Sequence, residues 1–134
     1  MIVADTNLIA GLYTDSIQRE RILSVYKKDP VWAAPYLWRS EMRNVMALYM
    51  RKQLLKQDQV VQIMQWAEDQ MGLNEYLPLS GHVLSLAAVS GCTAYDCEFV
   101  SIANALACPL VTFDKQVLER FPDIAVSPEG FVSK

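Results

Sequence analysis

The chain has 134 residues, 52% hydrophobic and 20% charged, with only 5 Gly and 6 Pro. This composition supports a packed core and excludes a disordered or low-complexity protein. One domain over residues 1–134 is expected, since two ordinary ones would not fit. A formal net charge of -3 and a pI near 5.1 exclude nucleic-acid binding by bulk basic charge, so any such contact has to be local.

Cys92, Cys97 and Cys108 form neither a paired disulfide set nor a CxxC motif, and read as small buried hydrophobes in a reducing compartment. Met1-Ile2-Val3-Ala4 reaches Asp5 before a signal-peptide apolar region can develop, and no apolar run approaches membrane-spanning length. A cytoplasmic protein with no membrane contact is the expectation.

In chain order, Met1–Ala4 reads as a buried strand with Asp5-Thr6-Asn7 at its carboxyl end, followed by a short helix over Leu8–Tyr13. Thr14-Asp15-Ser16 reads as a cap cluster opening a helix through Ile17, Ile22, Leu23, Val25 and Tyr26, closed by Lys27-Lys28-Asp29-Pro30. Val31–Ala34 is a second strand, ended by Pro35. From Leu37 to Lys52 the spacing predicts a helix with Leu37, Glu41, Val45, Leu48 and Tyr49 on one face. The next helix, over Gln57–Met71, should bury Val60, Val61, Ile63, Met64 and Ala67 and end at Gly72.

Asn74–Leu79 reads as a third strand or extended segment, and Ser80 as the cap of a helix that ends at Gly91. Behind Asp96, the residues Phe99, Val100, Ala103, Leu106 and Ala107 recur at helical spacing, which puts an acid on a buried-facing stripe. Pro109 is the expected stop of that helix. Leu110–Phe113 is a β-prone run with Asp114 at its end. A helix over Lys115–Phe121 and a strand over Ile124–Val126 complete the alternation, and Pro128–Lys134 reads as a polar tail. Strands alternating with helices imply a parallel sheet with helices on both faces, whose carboxyl edge is where sites form.

Four acids are misplaced for a plain fold: Asp5 and Asp114 at strand ends, Glu41 and Asp96 on inward helix faces. If they converge, two like charges about 4 Å apart cost on the order of 4 kcal/mol at an effective dielectric near 20. Raised pKa values, nearby arginines or a divalent cation have to offset this. Hard oxygen ligands completed by water suit Mg²⁺ or Mn²⁺, which can lower the pKa of a bound water and steady a phosphoryl oxygen. Each acid also has a plainer role: Asp96 as a first-turn acid behind the N-cap Thr93, Asp114 as a cap, Asp5 as a turn residue, Glu41 as the partner of Arg39 or Arg43.

Asp5-Thr6-Asn7 after the first strand, Ser40-Glu41-Met42-Arg43-Asn44-Val45, Thr93-Ala94-Tyr95-Asp96 before Phe99-Val100-Ser101-Ile102-Ala103, and Leu110-Val111-Thr112-Phe113-Asp114 together resemble the PIN domain, most closely the VapC-type toxins of bacterial toxin–antitoxin pairs. The resemblance implies a three-layer α/β/α sandwich on a central, mostly parallel sheet. It also implies a Mg²⁺- or Mn²⁺-dependent endoribonuclease using Asp5, Glu41, Asp96 and Asp114 as metal-binding, catalytic acids, a homodimer, and a small antitoxin that covers the site. Thr6, Asn7 and Thr112 match positions that orient the carboxylates in that family, although Thr112 could equally be a cap.

Around this site Arg39, Arg43, Arg51, Lys52 and Lys115 are candidates for phosphate contact, and Trp38 and Tyr95 for base stacking, against plainer surface and core roles. His82 reads as a surface or capping residue, Phe113 as a residue that narrows the groove or packs beneath it, and Met46, Tyr49 and Met50 as a helical interface. Two other readings stay open. One is a catalytically idle PIN-like module that binds RNA or protein; the other is a phosphoacceptor receiver-type domain, which would need paired acids after its first strand where this chain has Asp5 alone.

Overall fold

In the computed structural model, which describes residues 1–134, five parallel strands and eight helices alternate. The strands are β1 (Ile2–Ala4), β2 (Trp32–Pro35), β3 (Glu75–Tyr76), β4 (Leu110–Val111) and β5 (Ala125–Val126). The helices are α1 (Thr6–Tyr13), α2 (Arg19–Lys28), α3 (Leu37–Arg51), α4 (Gln57–Met71), α5 (Ser80–Ser90), α6 (Ala94–Leu106), α7 (Lys115–Arg120) and α8 (Pro128–Val132). No single helix is long and apolar enough to cross a membrane.

The sheet order is β3-β2-β1-β4-β5, every pair parallel. From β1 the chain winds outward through β2 and β3, then returns to the other side of β1 for β4 and β5. Strand order therefore reverses between β1 and β4, and a crevice opens there at the carboxyl edge. The register pairs Val3 with Leu110 and Ala4 with Val111, and the Asp5 amide donates to the Val111 carbonyl at 3.2 Å. Asp5 is thereby carried to the side of Thr112.

Helices cover both faces of the sheet, so its central strands are apolar without alternation: Ile2, Val3, Ala4, Trp32, Ala33 and Ala34 are wholly buried. This is the α/β sandwich that the alternation predicts. On α3 the buried residues are Trp38, Met42 and Met46, one position on from the predicted face; Leu37, Glu41 and Val45 lie at its margin, half-buried, and Leu48 is exposed. Trp38 wins the core by size and by donating its indole N–H to Glu75 at 2.8 Å. It is thus no stacking platform, and Met46 no interface residue.

Other expectations are corrected by local hydrogen bonding. Thr14-Asp15-Ser16 does not cap α2. The Thr14 hydroxyl turns back to the Ala10 carbonyl and Ser16 Oγ takes the Gln18 amide, so α2 starts later, at Arg19, and Ile17 is left almost fully exposed. Ser80 is the first residue of α5 but makes no side-chain cap, Val61 faces water, and α6 ends in left-handed Ala107 (φ 53°), two residues before Pro109. The expected polar tail is helical: Ser127 accepts the Gly130 amide to cap α8, which packs on α2.

Arg39 is committed to structure. Its Nε and one terminal nitrogen donate to both oxygens of Glu75 at 2.6 and 2.7 Å, and it also reaches Glu68 at 3.6 Å, fastening α3 to β3 and α4. It is neither a partner of Glu41 nor free for phosphate. The Glu75 side chain is only 4% exposed, so Arg39→Ala strands a buried carboxylate. We expect a loss of about 2 kcal/mol in urea unfolding, below the range for a fully buried pair because the guanidinium is partly solvated.

Candidate active site

Two threonine hydroxyls organise the crevice. Thr112, wholly buried just past β4, donates to Asp5 Oδ2 at 2.6 Å while accepting the Asp114 amide at 3.0 Å. Thr6, buried in the first turn of α1, donates its hydroxyl to Glu41 Oε1 at 2.6 Å and its amide to Asp5 Oδ1 at 2.8 Å. A chain of contacts therefore runs Glu41–Thr6–Asp5–Thr112–Asp114, joining α3, the ends of β1 and β4, and the start of α7. Asp114 caps α7, its Oδ1 accepting the Val117 amide at 3.0 Å.

Asp96 enters from α6, in the first turn as predicted, with Thr93 Oγ1 capping the helix by accepting the Asp96 amide at 3.1 Å. No direct hydrogen bond joins Asp96 to the others, but the charges are near enough to be felt. Burial pushes the Asp5 carboxyl above its ordinary range; the Thr112 and Thr6 hydrogen bonds oppose this, and the Asp96 and Asp114 charges add to it. Glu41 is raised chiefly by burial, against the Thr6 bond and with the charges of Asp5, Asp96 and Glu98. Burial also raises Asp96, offset by Thr93 and reinforced by Asp114.

The capping roles and the convergence thus hold together. Asp5 and Asp114 each cap a helix while lying beside other acids. Glu98, half-buried and itself raised by burial, is an acid the sequence reading missed. Its distance of two residues from Asp96 carries no helical signal that both face one edge.

Sign follows from these directions. A carboxyl whose folded pKa lies above its unfolded value destabilises the fold fully above the folded pKa, and that penalty fades as pH falls toward the ordinary values of 3.8 and 4.5. Glu75 and Asp29, held low by their partners, favour the fold until pH drops below the ordinary carboxylate range. Without added cations the melting temperature should therefore rise between about pH 7 and pH 5, then fall in stronger acid. Differential scanning fluorimetry in EDTA reads this directly; a melting temperature that only declines from neutral pH would contradict it.

Asn7 is exposed and lies with Phe113, Val45 and Tyr49 along a cleft of about 270 Å³ next to the acids. Phe113 thus forms a wall of that cleft. Tyr95, beside Asp96, is 62% exposed, and Arg43, Arg51, Lys52 and Lys115 are exposed without ion pairs. His82 bridges α5 to α6, its Nδ1 at 2.7 Å from Ser101 Oγ and its Nε2 at 3.4 Å from the Asn104 amide nitrogen. It therefore serves packing, not the acids.

No group of three or more His, Cys, Asp or Glu side chains is spaced to hold a metal ion as it stands. The donor chemistry nevertheless fits a hard dication: all-oxygen, half-buried, mutually repelling and without a cationic partner. Each Asp5 oxygen spends one lone pair on Thr6 or Thr112 and keeps another.

No family model matches the chain. It is 28% identical over 128 residues to Ribonuclease VapC3 of Pyrobaculum aerophilum, a match covering 90% of this chain and 95% of that protein. The crystal structure of PAE2754, also from Pyrobaculum aerophilum, superposes with a TM-score of 0.71 at 19% identity, over 98% of this chain and 93% of that one. Sequence and fold thus both bear out the resemblance read from the motifs.

Proposed function

From a chain that is VapC-like in sequence and PIN-like in fold, we propose a one-domain, metal-dependent endoribonuclease that serves as the toxin of a toxin–antitoxin pair. The observation that carries the reading is the linked run of acids at the strand-order reversal, Glu41–Thr6–Asp5–Thr112–Asp114, with Asp96 facing it from α6. Asp5, Asp96 and Asp114 would hold Mg²⁺ or Mn²⁺, with Glu41 directly or through water. Bound there, the cation supplies a more acidic water and charge relief at the phosphoryl oxygen.

The chain's own residues supply geometry. Thr112 and Thr6 fix the rotamers of Asp5 and Glu41, so these carboxylates need not reorganise when substrate arrives. The α7 cap holds Asp114, and the Thr93 cap sets the start of α6 that presents Asp96. Exposed Tyr95, Lys115 and Arg43 flank the acids in sequence and suit base stacking and phosphate contact. A cytoplasmic RNA is the substrate class this reading assigns.

For the antitoxin, the cleft lined by Asn7 and Phe113 shares Thr14 and Tyr49 with a second, which shares Tyr13 and Leu55 with a third reaching Trp66. Together they form a trough of mixed polar and apolar lining leading away from the acids, suited to a short amphipathic segment that ends over them. Cleavage of unstructured RNA in Mg²⁺ or Mn²⁺, stopped by EDTA, tests the enzyme reading. Expression without a partner gene should arrest growth. Mn²⁺ should raise the melting temperature at neutral pH, and less so toward pH 5 where protons compete for the carboxylates.

A second reading, an idle PIN-like binding module, draws on the lack of a ready three-ligand cage. Calorimetry separates the two: no Mn²⁺ uptake favours the idle module.

A further inference from the structure

Every residue lining the cleft beside the acids is uncharged, in a chain where one residue in five carries a charge. Its volume, about 270 Å³, falls just below the range of drug-sized sites and suits a fragment the size of a single base. Tyr49 and Phe113 give it aromatic surface, and Asn7 and Ser16 give it polar atoms.

The cleft starts at the acids. Asn7 follows Asp5 by two residues, Phe113 directly precedes Asp114, and Val45 stands about one helical turn beyond Glu41 on α3. A phosphodiester held at the acids therefore delivers the neighbouring nucleotide to this opening. The part that fits is the neutral, planar base, because phosphates favour cations and the lining has none. The two aromatic rings suit stacking on a base of single-stranded RNA.

Asn7 differs from the other polar residues of the site. The Thr6 and Thr112 hydroxyls are spent on Glu41 and Asp5, whereas the Asn7 side chain is exposed on the cleft and makes no hydrogen bond within the protein. An unspent amide offers a donor and an acceptor side by side, the pair that adenine complements through its N6 and N7. We propose that this cleft takes the base next to the cleaved phosphodiester and that Asn7 makes adenine the preferred base. The proposal rests on the ribonuclease reading and deepens it by naming a nucleotide. Asn7 is then a specificity residue and not one that orients a carboxylate. An antitoxin segment laid along the trough fills the same space, so the two occupants exclude each other.

The test is titration of the full chain with adenosine, guanosine, cytidine and uridine in EDTA, followed by two-dimensional NMR of backbone and side-chain amides. Wild type, Asn7→Ala and Phe113→Ala are compared, and the spectra themselves report folding. Nucleosides lack the phosphate, so their binding needs neither metal nor acids. Adenosine should shift the Asn7 side-chain amide and the backbone amides of Gly11 and Tyr49, with an affinity about 10-fold above that of uridine. Asn7→Ala should bring the bases to one level, and Phe113→Ala should weaken all of them, by about 10-fold. The proposal is overturned by a wild type whose cleft amides do not move, by equal affinity for all bases, and by a folded Asn7→Ala variant that still prefers adenosine. Because Asn7 is exposed, its truncation leaves the core intact, and the wild type with this variant decides the matter even if Phe113→Ala does not fold. Binding is read without metal or cleavage, so a failed ribonuclease reading leaves a base preference standing, and a failed pocket leaves cleavage at the acids untouched.

Discussion

Asp5→Asn should abolish RNA cleavage, by about 10³-fold or more, while leaving the protein folded and, without metal, more heat-stable at neutral pH. The activity loss follows from charge: a cation ligand at the centre of the contact chain becomes neutral, and several kcal/mol of charge stabilisation corresponds to about three powers of ten in rate. Retention of fold follows from shape. Asparagine fills the same volume, its carbonyl can accept the Thr6 amide, and its amino group can meet the Thr112 hydroxyl, which can rotate. The gain in stability follows from the raised Asp5 pKa, since removing a half-buried charge near Asp96 and Asp114 removes a penalty that is present at pH 7. Single-turnover cleavage and scanning fluorimetry, each with Mn²⁺ and with EDTA, read all three effects. Wild-type cleavage by the variant, or wild-type cleavage in EDTA, would sink the mechanism. A melting temperature unchanged by the substitution would show that the acids do not repel one another as the geometry implies.

That Asp5 and Asp114 fall at one sheet edge, joined through Thr112, was legible in the chain because their placement follows from period and topology. A parallel sheet was implied by strands alternating with helices, and its carboxyl edge was fixed once Asp5 followed β1 directly and Asp114 came three residues after β4. Less legible were features decided by side-chain competition. On α3, Leu37 and Val45 satisfy a helical apolar stripe as well as Met42 and Met46 do. Only the tertiary partners of Trp38 and Arg39, both meeting Glu75 on β3, rotate the helix so that Glu41 falls at the margin and reaches Thr6. The delayed start of α2 was hidden for a similar reason, because Thr14 can cap forward or bond backward and the backward bond to Ala10 closes α1. Nor does the sequence separate Glu98 from an ordinary surface acid, since its charge reaches Glu41 only through the way α3 and α6 are each set against the sheet.

The same logic bears on the surface. An apolar residue in a predicted helix is assigned to the core by default, and Val61, Leu84 and Val89 were open to that assignment. Their exposure has two different meanings. Val61 stands among glutamines and acids on α4 and needs no explanation. Leu84 and Val89 stand in a stretch, Tyr76 to Tyr95, without Asp, Glu, Lys or Arg, which gives their exposure a physical cost.

Thr112→Val should lower cleavage by about 10- to 100-fold with little change in overall shape, the range expected when a residue that orients a metal-binding carboxylate is lost. Valine matches threonine in size and β-branching, so no cavity opens, but a buried hydroxyl with two jobs disappears. Asp5 Oδ2 loses its donor and the Asp114 amide loses its acceptor, so the two acids on either side of the strand-order reversal are no longer held in one register. Losing the donor removes the largest effect opposing the rise of the Asp5 pKa, so that pKa climbs further. The acidic limb of the pH–rate profile should accordingly move to higher pH, and the loss should fall on kcat more than on KM because the hydroxyl is buried away from substrate. Unfolding should show a loss of about 1–3 kcal/mol for the unsatisfied groups. Thr112→Ser restores the hydroxyl and should recover most of the activity and return the limb to lower pH. A valine variant with a wild-type pH profile would mean that the hydroxyl only packs. Failure of serine to rescue would mean that the methyl group, and not the hydrogen bond between the two acids, is what position 112 contributes.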